Sequence, residues 1–272
     1  MKRVAVIMAG GKGERFWPAS RVKKPKQLLA IVSEHTMIRE TVNRIAGIID
    51  KEGIFVVTSA LYREAMIQEL NDIPSDNIIC EPEGRDTANA IALAGVYIAK
   101  KFPESVICVL SADPSIQPVD DFARTINTGF DIAEKQDVLI TIGIIPKRAE
   151  TGYGYIQKGE KVNGYTRPAV YQTASFQEKP TIEVADEYYK SGKFLWNSGM
   201  FIWKNSYFLE QYAQFLPDNW ILLKNIQNTI GTPDEQDTLY SQFTQLQKIS
   251  VDYGILEKSK NENSYLDEKI GR

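Results

Sequence analysis

Residues 8 to 29, MAGGKGERFWPASRVKKPKQLL, gather Gly10, Gly11, Gly13, Arg15 and Lys26 directly behind the apolar run RVAVI. Glycines let a turn aim successive backbone N–H groups inward, a planar guanidinium matches phosphate oxygens, and an ammonium behind Pro25 adds a compact charge. Together these groups suit a ligand carrying several phosphates; a plain tight turn beside a solvated basic patch is the reading that needs no ligand. Two better-known motifs fail here. Phe16 stands where a dinucleotide fingerprint needs its third glycine, and Lys12 is followed by Gly13 where a phosphate-binding loop needs a metal-binding hydroxyl.

Asp113 ends the apolar run SVICVLSAD, so its carboxylate sits at the mouth of a buried strand and requires solvent, a cation or a partner. Mg²⁺ shared with phosphate oxygens is one use; a capping or turn aspartate before Pro114 is the other. With a single histidine, His35, and two cysteines, Cys80 and Cys108, in apolar runs, the composition argues against His/Cys zinc sites and histidine-based nucleophilic catalysis. His35 reads as a surface residue before a helix, and the cysteines as buried, reduced thiols.

These residues need elements to hold them. VAVIM, IFVVTS, NIIC, SVICVLSAD and VLITIGI read as strands, and TMIRETVNRIAGII, LYREAMIQEL, TANAIALAGVYIAKKF and DDFARTINTGFDIAEK as the helices between them. Strand–helix alternation of this kind predicts a parallel sheet covered on both faces, with ligands beyond the carboxyl ends of its strands. The Gly-rich turn, CEPEGRDTA and LSADPS all follow strands and can converge on one crevice. From about residue 151 the Gly/Tyr/Thr/Val-rich segment predicts antiparallel strands with a turn at Asn163-Gly164, then a helix, the aromatic strand FLWNSGMFIW and mostly helical segments to the end. No repeat or linker interrupts the chain, so one continuous α/β unit is expected.

The length of 272 residues, 43% hydrophobic and 25% charged, is ample for a large core, and a net charge of −3 lacks the basic excess of a nucleic-acid binder. The apolar part of MKRVAVIMAGG is too short and Gly-broken for a signal peptide, and no 18-residue apolar run occurs. The expectation is a cytoplasmic protein that engages neither membrane nor nucleic acid.

The stretch 10 to 27, G-G-x-G-x-R-x-x-P-x-S-x-x-x-P-K-Q, closely resembles the signature of the sugar-phosphate nucleotidyltransferases. Its Phe16-Trp17-Pro18 and Pro25-Lys26-Gln27 resemble the mannose-1-phosphate guanylyltransferase branch, and the likeness runs on through EPEGRDTANAIALA, LSADPSI, GYGYI, FQEKP, WNSGMFIW and SVDYGILEKS. The resemblance implies a Rossmann-like α/β fold with a mixed, mainly parallel sheet flanked by helices. It implies a reaction in which the phosphate of a sugar 1-phosphate attacks the α-phosphorus of a nucleoside triphosphate and releases pyrophosphate. Such a reaction depends on positioning and charge neutralisation, so an active site without histidine is no obstacle.

In that family Arg15 and Lys26 would be catalytic, stabilising the triphosphate and the charge developing at the α-phosphate; Gly10, Gly11 and Gly13 would cradle the nucleotide and Asp113 would hold Mg²⁺. Glu81 and Arg85 in CEPEGR would serve the base, since a carboxylate can accept from both the ring N–H and the exocyclic amine of guanine; an exposed loop acid is the plainer reading of Glu81. Glu178, Lys179, Asn197 and Gly154 would form the sugar-phosphate site, against the alternative of an ion-paired hairpin and an Asn-Ser-Gly bend.

Several positions depart from the family pattern. Pro114 replaces the usual histidine after the metal aspartate, and Asp86 and Asn89 stand where G-R-N-T-A-P is usual, which touches the base contacts. The chain ends in NENSYLDEKIGR where relatives continue to a Trp-Ser-Asp-Val-Gly-like motif bearing a second metal ligand. Asp252 in SVDYG reads as a structural residue opening the last helix, with substitution for that ligand as its alternative. The expectation is therefore a single catalytic domain over 1–272 lacking the C-terminal extension, using Mg²⁺, GTP and mannose 1-phosphate, with a homodimer left open. Its rivals are the same chemistry with another base or sugar, a catalytically weak nucleotide-sugar-binding regulator and, more distantly, a dinucleotide-dependent oxidoreductase.

Overall fold

The computed structural model describes residues 1–11, 25–31, 33–112, 116, 118–259 and 264–268, the last five as backbone only. Among the described residues nine strands form one mixed sheet in the order β3-β2-β1-β4-β8-β5-β9-β7-β6. The first half follows the strand–helix rhythm of the sequence: β1 (Lys2–Met8), α1 (Met37–Ile45), β2 (Ile54–Ser59), α2 (Arg63–Glu69), β3 (Ile78–Glu81), α3 (Thr87–Lys101), β4 (Ser105–Ser111), α4 (Val119–Ala133) and β5 (Ile140–Ile144). Strands β3, β2, β1 and β4 are all parallel. Because β1 lies between β2 and β4, the strand order reverses there, and the carboxyl ends of β1 and β4 flank the crevice that such a reversal opens.

Alternation along β1 divides the core between the two faces. Ala5 and Ile7 point into the layer shared with α1, α2 and α4, whereas Val4 and Val6 point into the layer shared with α3 and the later helices. The helix ends are set locally. The Thr36 side chain accepts from Arg39 N–H at 3.2 Å to start α1, and Asp86 accepts from Thr87 N–H at 2.8 Å to start α3.

The second half adds β6 (Tyr155–Thr166), β7 (Ala169–Gln177), α5 (Ile182–Ser191), β8 (Phe194–Lys204), α6 (Asn205–Phe215), α7 (Pro217–Thr229), α8 (Glu235–Phe243) and a π turn over Asp252–Leu256. The hairpin turn differs from the expected one. Asn163-Gly164 lies inside β6, where Gly164 takes a φ of 92° and the register with β7 shifts, and the chain reverses at Arg167-Pro168. Asn-Gly suits a left-handed turn, but it equally suits an irregularity within a long strand, and pairing with β7 selects the latter. A final strand, β9 (Ser264–Glu268), runs parallel to β5 and antiparallel to β7 where the sequence pattern predicts helix.

Strand β8 is the pivot. Its second half pairs antiparallel with β4, Val109 opposite Phe201, so its first half lies toward the carboxyl end of β4. There it pairs on one side with β5 and on the other with β6, closing β8, β5, β9, β7 and β6 into a ring. Gly143 makes this closure feasible: opposite Asn197, a Cβ on it would lie 2.4 Å from Leu195 Cδ1 and 2.9 Å from Leu195 Cβ. Gly143→Ala is therefore expected to lower unfolding free energy by roughly 1–3 kcal/mol, as overpacking does; a urea titration with an unchanged midpoint would show instead that Leu195 yields freely.

Candidate active site

The crevice at the carboxyl ends of β1 and β3 collects one group of the expected residues. Gln27, almost wholly buried, donates Nε2 to Gly11 O at 3.0 Å and so draws the segment after Pro25 onto the Gly-rich turn. A Cβ on Gly11 would lie 3.7 Å from Lys26 Cε, so Lys26 also reaches this turn. A Cβ on Gly10 would stand 3.0 Å from Glu81 Oε2. The structure thus brings Gly10, Gly11, Lys26 and Glu81 together. Arg15, Gly13 and Asp113 lie outside the described residues, although Ala112, the residue before Asp113, donates its N–H to Met8 O at 3.3 Å beside the same turn.

Glu81 is not an exposed loop acid. It is 7% exposed, and among the described residues its Oε1 finds no hydrogen-bond partner. Burial pushes its carboxyl up to about 7, with the backbone N–H of Arg85 pulling the other way and nearby Asp86 reinforcing the rise. An acceptor oxygen left unpaired in a crevice is costly to the folded chain alone and is satisfied by a ligand with donors.

Arg85 is placed differently from its neighbour. Its guanidinium donates to the carbonyls of Thr244 and Leu246, the latter at 3.3 Å, and pairs with Glu83 at 2.8 Å. It therefore anchors the loop after α8. That loop is fastened further by Ala88 N–H to Ile249 O at 3.2 Å and by Val251 N–H to Thr87 Oγ1 at 2.9 Å. Residues 244–251 thus form a strap across the start of α3, and the strap leads directly into Asp252.

A second group lies at the first half of β8. Asn197 N–H donates to Gly154 O at 2.8 Å, and a Cβ on Gly154 would fall 2.4 Å from Glu178 Oε2 and 3.4 Å from Asn197 Cβ. Only glycine leaves room for the carboxylate at that point. Lys179 bonds to Glu178 and adopts a φ of 42°, a backbone conformation uncommon for a side-chain-bearing residue. Gly154, Glu178, Lys179 and Asn197 are thus assembled as the sequence motifs suggest, and the Asn-Ser-Gly bend is present as well, with Gly199 at a φ of 72°.

Asp252 joins this group at the first residue of the π turn, accepting from Asn197 Nδ2 at 2.9 Å. Burial, then the charge of Glu178, pushes its carboxyl up to about 6. A cavity of about 470 Å³ opens here between Thr87, Glu178, Lys179, Lys248, Asp252 and Tyr253. Gln27 and Tyr253 lie inside the PKQ and SVDYG motifs and Lys248 just before the latter, yet none of the three carries a catalytic signal of its own in the sequence.

The chain belongs to the nucleotidyl transferase family, whose pattern matches residues 4–220. It is 36% identical over 264 residues to a mannose-1-phosphate guanylyltransferase of Escherichia coli K12, covering 95% of this chain and 55% of that protein. It is 37% identical over 260 residues to a mannose-1-phosphate guanylyltransferase of Klebsiella pneumoniae, covering 93% of this chain and 54% of that one. The crystal structure of a mannose-1-phosphate geranyltransferase of Thermus thermophilus superposes with a TM-score of 0.87 at 30% identity, over 100% of this chain and 75% of that chain. The chain spans about half the length of the curated relatives it matches. Among the described residues no helix is long and apolar enough to cross a membrane.

The raised Glu81 value carries a stability consequence. A carboxyl whose folded value lies above its ordinary 4.5 costs nothing below 4.5, and the penalty is complete above about 7. Glu81→Gln is therefore expected to gain stability over the parent at pH 8 relative to pH 4.5, by on the order of 1–3 kcal/mol. Urea titrations of both proteins at the two pH values measure it, and an equal difference at both would place the carboxylate in contact with solvent.

Proposed function

We propose that the protein transfers a guanylyl group from GTP to mannose 1-phosphate, giving GDP-mannose and pyrophosphate. The observation that carries this reading is the buried carboxylate of Glu81 beside Gly10, whose Oε1 has no hydrogen-bond partner among the described residues. Guanine presents a ring N–H and an exocyclic amine on one edge, two donors for one carboxylate, whereas uracil and thymine lack that amine. The triphosphate lies along the Gly-rich turn, where Lys26, with Arg15, offsets charge at the α-phosphate. Lys179 holds the sugar phosphate, and Glu178 and Asn197 hold its hydroxyls against the backbone of Gly154. The phosphate oxygen then attacks the α-phosphorus in line, and pyrophosphate leaves.

Family membership implies Mg²⁺. Among the described residues no three His, Cys, Asp or Glu side chains gather as a metal cage. A site completed by phosphate oxygens and water needs only one or two carboxylates, and Asp113, the residue after Ala112 in the sequence, is a hard oxygen donor of the required kind. The ion would neutralise phosphate charge there. In this reading the protein works in the cytoplasm and needs neither nucleic acid nor membrane.

The test supplies each nucleoside triphosphate with mannose 1-phosphate and follows pyrophosphate and the sugar nucleotide. GTP is expected to exceed UTP by about 1–3 kcal/mol in kcat/KM, and Glu81→Gln to shrink that gap. Because the guanine donors need an ionised acceptor, kcat/KM for GTP should fall as pH drops below about 7, and this limb should vanish in Glu81→Gln. Equal use of GTP and UTP moves the assignment to another base, and nucleotide binding without pyrophosphate release favours a regulatory protein. Lys26→Ala is expected to lower kcat roughly 10²-fold with a smaller change in the KM for GTP. A rise in KM at constant kcat would confine Lys26 to ground-state binding.

A further inference from the structure

We propose that Asp252 is a positioning residue that fixes the side-chain amide of Asn197 in the one orientation able to read the hydroxyls of the sugar phosphate. The proposal rests on the function proposed above for its ligand, but its geometry stands on the protein alone. Asp252 leads out of the strap, which Ile249 and Val251 fasten to Ala88 and Thr87 at the start of α3. Its Oδ1 takes Asn197 Nδ2 at 2.9 Å, and on the other side Asn197 Oδ1 takes Gly199 N–H at 2.9 Å.

An asparagine amide has an oxygen end and a nitrogen end of nearly equal size, and packing alone does not choose between them. Here both neighbours are one-way partners. An ionised carboxylate only accepts, so only Nδ2 can face Asp252; a backbone N–H only donates, so only Oδ1 can face Gly199. The orientation therefore follows from the chemistry of the two partners. It leaves one Nδ2 hydrogen and one Oδ1 lone pair in fixed directions, a donor and an acceptor for neighbouring hydroxyls. Asn197 N–H to Gly154 O at 2.8 Å holds the main chain at the same point.

An acid at the first residue of the turn accepts from its own backbone N–H, and that local role does not need Asn197. Asp252 is largely buried close to Glu178, and the ammonium of Lys179 is bonded to Glu178. Placing a second carboxylate there is unfavourable, and an apolar residue of similar size would avoid the cost. What the carboxylate adds is the strict acceptor that orients Asn197. Asp252 also lines the cavity, and the double-mutant cycle separates an effect passed through the amide from one made on the substrate directly.

The experiment is a double-mutant cycle on the full chain with GTP and mannose 1-phosphate. Asp252→Ala should raise the KM for mannose 1-phosphate about tenfold, the loss of one hydrogen bond to a charged group, while moving the KM for GTP less than about twofold. Asn197→Ala should give a loss of similar size, and the double variant should be no worse than Asn197→Ala by more than about twofold. Asp252→Asn, which keeps an acceptor oxygen and the volume, should stay within about threefold of the parent. Fully additive losses, an equal rise in the KM for GTP, or an Asp252→Asn as impaired as Asp252→Ala would each overturn the proposal.

A second measurement needs no turnover. The Asn197 side-chain amide signals in a ¹⁵N-labelled protein, assigned by their loss in Asn197→Ala, should shift in Asp252→Ala and largely return in Asp252→Asn. Unmoved signals would overturn the positioning role whatever the substrate. Absence of turnover with every sugar phosphate, with the signals behaving as expected, would remove the proposed function and leave the amide anchor standing.

Discussion

The arrangement hangs on the side-chain amide of Asn89. Wholly buried in the first turn of α3, it donates to Arg85 O at 2.6 Å and Gln247 O at 2.8 Å, and accepts from Tyr212 Oη at 2.5 Å and Asn219 Nδ2 at 3.0 Å. Every hydrogen-bonding position of the amide is used, and the four partners belong to the loop after β3, the strap, α6 and α7. Asn219 repeats the pattern, donating to Gln247 O and accepting Gln247 N–H at 2.8 Å. A fully satisfied network of this kind resists partial change, because deleting any member strands buried groups at about 1–3 kcal/mol each. The strap is thereby fixed to α3, and with it the position of Asp252.

The two halves of the crevice then share one physical device, a carboxylate kept where water reaches it poorly. Glu81 is pushed up to about 7 and Asp252 to about 6, in both cases chiefly by burial. Their partners differ. Glu81 has an oxygen with no partner among the described residues, and Asp252 is met by an amide. The first has an acceptor that a bound donor can meet; the second is spent inside the protein on orienting a neighbour. Perturbed acids in a cleft are often read alike as functional groups, and here hydrogen-bond occupancy distinguishes the one that awaits a ligand from the one that supports a ligand-facing residue.

Much of this was legible in the sequence, for identifiable reasons. Strand–helix alternation through residue 144 registers because each strand is buried on both faces, so the apolar runs and their spacing translate directly into the parallel block and its crevice. The groupings of Gly10, Gly11 and Lys26 and of Gly154, Glu178 and Asn197 follow from motifs at strand ends. Less legible were features set by distant contacts. Asn163-Gly164 has the composition of a turn, yet pairing with β7 keeps it inside β6. Arg85 beside Glu81 reads in sequence as a nucleotide contact, and its bonds to the carbonyls of Thr244 and Leu246, some 160 residues away, could not be read there. Asn89 and Asp86 register in sequence as departures from the family pattern; the structure shows Asn89 as a hub and Asp86 as a helix cap at a φ of 70°.

That positive φ has a counterpart across the cavity. Asp86 and Lys179, the two side-chain-bearing residues with positive φ among those described, belong to the two loops that face each other over the space leading to Tyr253. Such conformations cost on the order of 1–3 kcal/mol each and persist only where the surroundings determine them fully. Asp86 is held because its own carboxylate caps Thr87 N–H while the Asn89 network grips the next turn. Lys179 is held between the bond to Glu178 and Pro180. Phosphoryl transfer asks little covalent chemistry of a protein and a great deal of positioning. Strain stored on both walls, and locked by satisfied hydrogen bonds behind them, sets the geometry of the crevice in the chain alone, so that binding energy from a ligand is not consumed in shaping it.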